Sequence, residues 1–223
     1  MVVLLLAALL AGCSQDRSSD SLPDGRSLLV QSSDAMDEVN TVRFSLQVEA
    51  DRPSNFQITE ADGVITADGG VSAAAKVLQA GTLVEYEYIV AGGVPYLKGP
   101  TGGFRQVPEA IYSRIFNPSG LLSGERSLPS ALREVNEATT EDTEEIDGVA
   151  TYRIKGDLDP RNVEGLSLLA SGAEGDTTLW VARESKQLIR AEMPFRLSGR
   201  DEETVVTVTL SGFNEPADIQ APV

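Results

Sequence analysis

The residue types that run most hydrolytic chemistry are nearly missing from this chain. Its 223 residues include no His and one Cys, which removes the imidazole base of a Ser or Cys triad, imidazole-ligated zinc and any internal disulfide. No G-x-S-x-G occurs. The nearest stretch, Gly120-Leu121-Leu122-Ser123-Gly124, has the wrong spacing, and its Ser would lack the usual base. Carboxylates can act without imidazole, as in glycosidases. The acidic run Thr139 to Asp147, with Glu141, Asp142, Glu144, Glu145 and Asp147, instead reads as a solvated edge or loop and lacks a D-x-D-x-D-G calcium spacing. The expectation is a non-enzyme that needs neither cofactor nor metal. With 18 Lys and Arg against 34 Asp and Glu, the formal net charge is −16. Such a field repels phosphate backbones, so nucleic acid is excluded as a partner.

The one residue placed for chemistry is Cys13. Residues 2 to 11 are an unbroken apolar run, and Leu10-Ala11-Gly12-Cys13 follows the pattern of a bacterial lipobox. Ten residues at ~1.5 Å rise make ~15 Å of helix, about half a bilayer core, which suits a signal-peptide core and not a span. The small residues fit the peptidase, and the thiol receives a diacylglyceryl group before cleavage in front of it. Residues 1–12 are therefore expected to be a signal peptide, 13–24 a flexible tether rich in Ser and Asp, and 25–223 one folded domain. No Lys or Arg precedes Arg17, so the basic leader is missing and the start codon is expected upstream. The competing reading is an accidental apolar terminus with a free thiol. Two acyl chains on Cys13 would give durable attachment to the extracytoplasmic face of the cell membrane, which an acidic body cannot obtain from a polybasic patch.

The rest of the chain must form the body. Leu28, Leu29, Met36 and Val39 fall on one helical stripe between Asp24-Gly25 and Asn40, predicting an amphipathic helix over 27–39. Val42, Phe44, Leu46, Val48 and Ala50 then alternate with polar residues, as a strand with one wet face does. Further strands are expected at 56–67, with a turn or bulge at Asp62-Gly63, and at 71–78, 83–90 and 94–97, joined by tight connections. The middle changes character. A short helix is expected over 108–116, and a second helical stretch carries Leu121, Leu122, Leu128, Leu132 and Val135 with a break at Pro129. Strands resume near 137–145, 149–156, 176–183, 187–195 and 203–213, with a helical insert over 161–170. About ten antiparallel strands with few helices predict an α+β fold, a large sheet with helices on one face.

The inward set of the central strands is Phe44, Leu46, Val48, Ala73, Ala75, Val77, Val84, Tyr86 and Tyr88. Several are small where a packed core wants bulk. Helix Leu and Met residues could fill that space, or the space could be an apolar hollow; composition favours the first.

The order of short motifs resembles a known family. Val42-Arg43-Phe44, Gly93-Val94-Pro95-Tyr96-Leu97-Lys98, 115–122 (IFNPSGLL), 147–156 (DGVATYRIKG) and Thr178-Leu179-Trp180-Val181, together with the Cys13 motif, are similar to the actinobacterial LppX/LprAFG lipoproteins over nearly the whole chain. The resemblance implies a half-barrel whose concave side is closed by helices around an apolar cavity, as in the carriers LolA and LolB. It implies an acyl lipid or glycolipid ligand, carriage within the cell envelope and a membrane transporter as partner. The strand with Ala73, Ala75 and Val77 corresponds to a cavity wall. Leu121 and Leu132 join the nine inward residues as candidate lipid contacts. The polar connection 51–56 and the small run Gly69-Gly70 to Ala75 depart from the family.

Bury two ~16-carbon chains and ~32 methylenes leave water, at ~0.8 kcal/mol each some 25 kcal/mol as an upper bound. A lipid carrier needs an apolar interior for this and no charge inside. Tyr86 and Tyr88 fit either core aromatics or cavity walls. Trp180 reads as structural, under a sheet edge; Glu85 and Glu87 as a wet face. Lys98 and Arg105, near the sheet's open end, read first as surface charges, with contact to a phosphate or sugar headgroup the lesser alternative. The alternative function is a surface-anchored interaction module with a solid core.

Overall fold

The structure is a computed structural model, and it describes residues 21–51, 56–108, 120–159, 162–163, 176–196 and 203–223. Helix α1 spans Gly25–Asp37, and strands β1 (Thr41–Ala50), β2 (Phe56–Thr66), β3 (Val71–Gln79), β4 (Thr82–Ala91), β5 (Val94–Lys98) and the two-residue β6 (Arg105–Gln106) follow. Helix α2 (Leu128–Glu134) precedes β7 (Asn136–Ile146), β8 (Val149–Asp157), β9 (Thr177–Ala182), β10 (Leu188–Arg196) and β11 (Glu203–Ser211). All eleven strands form one antiparallel sheet, ordered β6-β5-β4-β3-β2-β1-β11-β10-β9-β8-β7. Each half is a meander, and β11 closes against β1 to join them.

The main apolar cluster draws on α1, α2 and every strand from β2 through β1 and β11 to β8. Six strands laid flat at ~4.8 Å spacing would extend about 24 Å, twice the width of a helix. Their inward residues meet one helix pair because the sheet curls around it. Sheet edges at β6 and β7 do not pair with each other, so the barrel stays half open.

Helix α1 forms where the stripe predicted it. The Asp24 side chain accepts from the Ser27 amide at 2.8 Å, and Leu28, Leu29, Ser32, Ser33 and Met36 are buried. It runs from the end of the sheet that holds the start of β7 to the end where β1 begins. At the first end the approach is tight: a Cβ on Gly25 would lie 2.8 Å from the Ala138 carbonyl oxygen.

Two local expectations are corrected. Asp62-Gly63 is no turn, since β2 runs straight through it. A Cβ on Gly63 would sit 2.5 Å from the Ser72 oxygen and 2.7 Å from the Ala73 Cβ, so glycine is there for close strand packing. Pro129 does not break a helix; it lies in the first turn of α2, which Ser127 caps. Trp180 packs as a structural residue, with its partners Ile146 and Glu144 on the edge strand β7. It lies inside the sheet on the convex face, in a small cluster with Ile146, Ala182 and Ile189, and donates to Glu144 Oε2 at 2.9 Å. The helices expected over 108–116 and 161–170 lie largely outside the described residues.

Gly63→Ala is expected to cost about 1–3 kcal/mol through overpacking, measured as a lower urea midpoint at unchanged slope.

Candidate functional site

Strand register places nine of the candidate residues on one face. Phe44 lies opposite Gly63, Gly63 opposite Ala73, and Ala73 opposite Tyr88. One row on, Leu46, Ala61, Ala75 and Tyr86 repeat the pattern, and Val77 faces Val84 beyond them. Val48 continues the β1 column and packs against the core. The result is a trough two strands wide. Gly63, Ala61, Ala73 and Ala75 form its floor, with Phe44 and Leu46 on one side and Tyr86 and Tyr88 on the other. Phe44, Leu46, Ala61, Val77 and Tyr88 are buried, whereas Val48, Ala73, Ala75, Val84 and Tyr86 are half-buried. Tyr86 hydroxyl bonds Gln79 Oε1 at 3.2 Å, near the hairpin end of the trough.

Toward the other half of the sheet the concave face is filled. Phe44, Leu46, Leu121, Leu128, Met193 and Leu210 are among the residues that enclose a wholly apolar void of about 20 Å³. That is room for about one water molecule, far too little for an acyl chain. Leu121 thus joins the concave set. Leu132 is fully buried between α2 and the rest of the core and does not line the void. The residues missed beforehand are Gly63 and Ala61, because the Asp-Gly pair read as a turn, and the β10 and β11 residues Met193 and Leu210. Their strands did show the two-residue alternation.

The helix pair covering this face is tied by one buried polar contact at its centre and by others at its margins. Ser33 Oγ donates to the Pro129 carbonyl at 2.7 Å, and Arg26 Nη1 to that of Val135 at 2.8 Å. Arg133 bonds Asp34 at 2.7 Å and Asp37 at 3.0 Å, and these two carboxylates push its guanidinium still further up. Other shifted groups also lie in turns or on outer faces. Asp68 is held below the usual carboxylate range by the Thr66 hydroxyl and then the Gly70 amide. Hydrogen bonds to Glu60 and Asp176 raise Lys76 and Lys155. Lys98 pairs with Glu87 at 2.6 Å and lies 5.7 Å from the Phe104 ring, so its charge is already matched. A hollow of about 420 Å³ on the convex face is polar, lined by Arg190, Asp147 and Thr209 among others. Charge is kept to the outside and the trough is left apolar.

A half-open antiparallel barrel with a helix pair over an apolar concave face defines an α+β lipoprotein-type half-barrel. The solved structure of LprF from Mycobacterium bovis has this fold, with TM-score 0.69 and 22% identity over 89% of this chain and 96% of that one. Lipoprotein LppX from Mycobacterium tuberculosis matches with TM-score 0.60 and 22% identity over 87% and 97%. A family model described as LppX_LprAFG lipoprotein matches residues 24–219. The chain belongs to the LppX/LprAFG lipoprotein family. Its curated relatives include the lipoarabinomannan carrier protein LprG of Mycolicibacterium smegmatis, 26% identical over 99% of this chain and 93% of the relative. Lipoprotein LprA of Mycobacterium tuberculosis is 25% identical over 99% and 94%.

Leu132→Ala is expected to lower stability by about 2–5 kcal/mol, read from chemical denaturation. Leu83→Ala, at an exposed position, should stay within about 0.5 kcal/mol of the parent.

Proposed function

We propose that this protein is a membrane-anchored carrier that binds the acyl chains of a lipid or glycolipid along the trough and moves it within the cell envelope. The observation that carries this reading is the trough itself. Four side chains no larger than a methyl group form the centre of a concave apolar face, where a self-sufficient core would place Leu or Ile. The name of a relative, lipoarabinomannan carrier protein LprG, supports the same class of ligand. Cys13 would carry the diacylglyceryl anchor, on the extracytoplasmic side, with a membrane transporter as the partner that hands over cargo. In this role Phe44, Leu46, Val48, Ala73, Ala75, Val77, Val84, Tyr86, Tyr88 and Leu121 touch acyl chain, and Leu132 holds the cover in place.

The small void favours a second reading, a surface-anchored interaction module with a solid core. The carrier reading accounts for it as an emptied state whose helices settle onto the sheet. Loading then requires the helix pair to lift, against buried apolar contacts that cargo methylenes replace at ~0.8 kcal/mol each.

Native mass spectrometry separates the two. Full chain carrying Cys13→Ser, so that any acyl lipid found is cargo, should retain or take up phospholipid on mixing with vesicles. A chain that stays lipid-free under these conditions supports the module. Ala75→Trp should fill the trough and abolish uptake while circular dichroism remains unchanged. Undiminished uptake would remove Ala75 from the site.

A further inference from the structure

The β3–β4 hairpin ends in an uncharged stretch that, unlike the equally uncharged β4–β5 hairpin, exposes a large apolar side chain. Val77 to Val84 (VLQAGTLV) holds no charged residue in a chain with 52 of them counted as 18 basic and 34 acidic. Its inner face continues the trough through the Val77–Val84 pair. Its outer face carries the Leu78–Leu83 pair, and Leu83 is 59% exposed, the most exposed large apolar side chain among the described residues apart from the terminal Val223. The turn is made by Ala80 at φ 49 and Gly81 at φ 82, and a Cβ on Gly81 would meet nothing within 4 Å. Lys76, the first charge on one side, is already paired with Glu60 at 2.7 Å. The outer face of the tip is therefore apolar, while the inner face passes from the Val77–Val84 pair to the uncharged Gln79–Thr82 pair where the trough runs out.

The position of this tip relative to the N-terminus identifies its occupant. The antiparallel registers put the 79–82 turn at the same end of the sheet as Asp157 and Asn136. Helix α1 begins there, with Gly25 against the Ala138 carbonyl. Eleven residues separate Cys13 from α1, and a coil-like linker of that length would have a root-mean-square reach of roughly 18 Å. The opposite end of the sheet is about 33 Å further off, the length of ten strand residues. An anchor at Cys13 thus holds the hairpin end toward the membrane.

We propose that the β3–β4 tip docks into the acyl region of the bilayer, so that the mouth of the trough opens directly onto membrane lipid. This rests on the carrier reading and on an anchor at the N-terminus. Docking is apolar and does not depend on anionic lipid, because the tip has no cation to offer and the body is acidic. Cargo chains would slide between bilayer and trough without crossing water.

The test uses the full chain bound to phosphatidylcholine vesicles with brominated acyl chains. An environment-sensitive dye is placed at Thr82→Cys or, at the far end, Glu184→Cys, with the parent chain labelled identically as a blank for Cys13. The dye at 82 should brighten and be quenched several-fold more than the dye at 184, with no change on adding salt. Leu83→Asp should reduce the docked fraction roughly tenfold or more, since burying a Leu is worth ~1.5–3 kcal/mol. Equal, water-like signals at both positions overturn the proposal, as does a chain that fails to float with vesicles. A shift at 82 already present without vesicles overturns it in favour of a second copy covering the tip. Lipid uptake in a chain whose tip stays in water overturns docking and leaves carriage standing. Quenching at 82 in a chain that never takes up lipid leaves docking standing and overturns carriage.

Discussion

Strand spacing at the centre of the concave face is the constraint on which the rest depends. Gly63 lies so close to β3 that a Cβ would strike the Ser72 oxygen, and its neighbours on that face are alanines. A sheet held this way has an apolar floor whose own side chains rise no higher than a methyl group. The bulk that should stand there is displaced to the borders, to Phe44 and Leu46 on β1 and Tyr86 and Tyr88 on β4. Apolar surface without partners costs ~25 cal/mol per Å² left in water. The face therefore requires a cover, either the protein's own helices or something else of the same polarity.

That cover is built differently at its centre and at its margins. In the middle, Leu28, Leu29, Met36 and Leu132 pack around one buried polar contact, the Ser33 hydroxyl on the Pro129 carbonyl. At the edge, Arg133 pairs with Asp34 and Asp37 in exposed positions where solvent screens each contact. Such margins fix the angle between α1 and α2. On the carrier reading, the apolar contact between helices and sheet is what an acyl chain would replace, and the void of about 20 Å³ would widen with its content.

Electrostatics follows the same division. A net charge of −16 is spread over outer faces and turns, where cross-strand pairs such as Lys76 with Glu60 and Lys155 with Asp176 satisfy part of it. Acidic outer faces discourage attachment to anionic lipid surfaces. Under the proposed anchoring and docking, the protein would rely on hydrocarbon contact where it meets a membrane.

Much of this was legible in the sequence because it depends on local periodicity. Alternation at Val42 to Val48 and Leu83 to Val90, the stripe of α1 and the absence of His are read directly, and they determine an antiparallel sheet with one apolar face and little scope for triad chemistry. Other features depended on partners far apart along the chain. Nothing in the Asp62-Gly63 pair says that Ser72 lies against it, so a turn or bulge was the local reading; the register shift falls at Thr59 instead, and Gly63 serves close strand packing. Pro129 read as a break until Ser127 was seen capping the helix it begins. The join of β1 to β11, which brings residues 43 and 211 opposite each other, is beyond any local signal, and so is the degree to which the helices fill the face they cover. Periodicity specifies which side of each strand is apolar; only the assembled sheet determines which apolar sides meet and how much room remains between them.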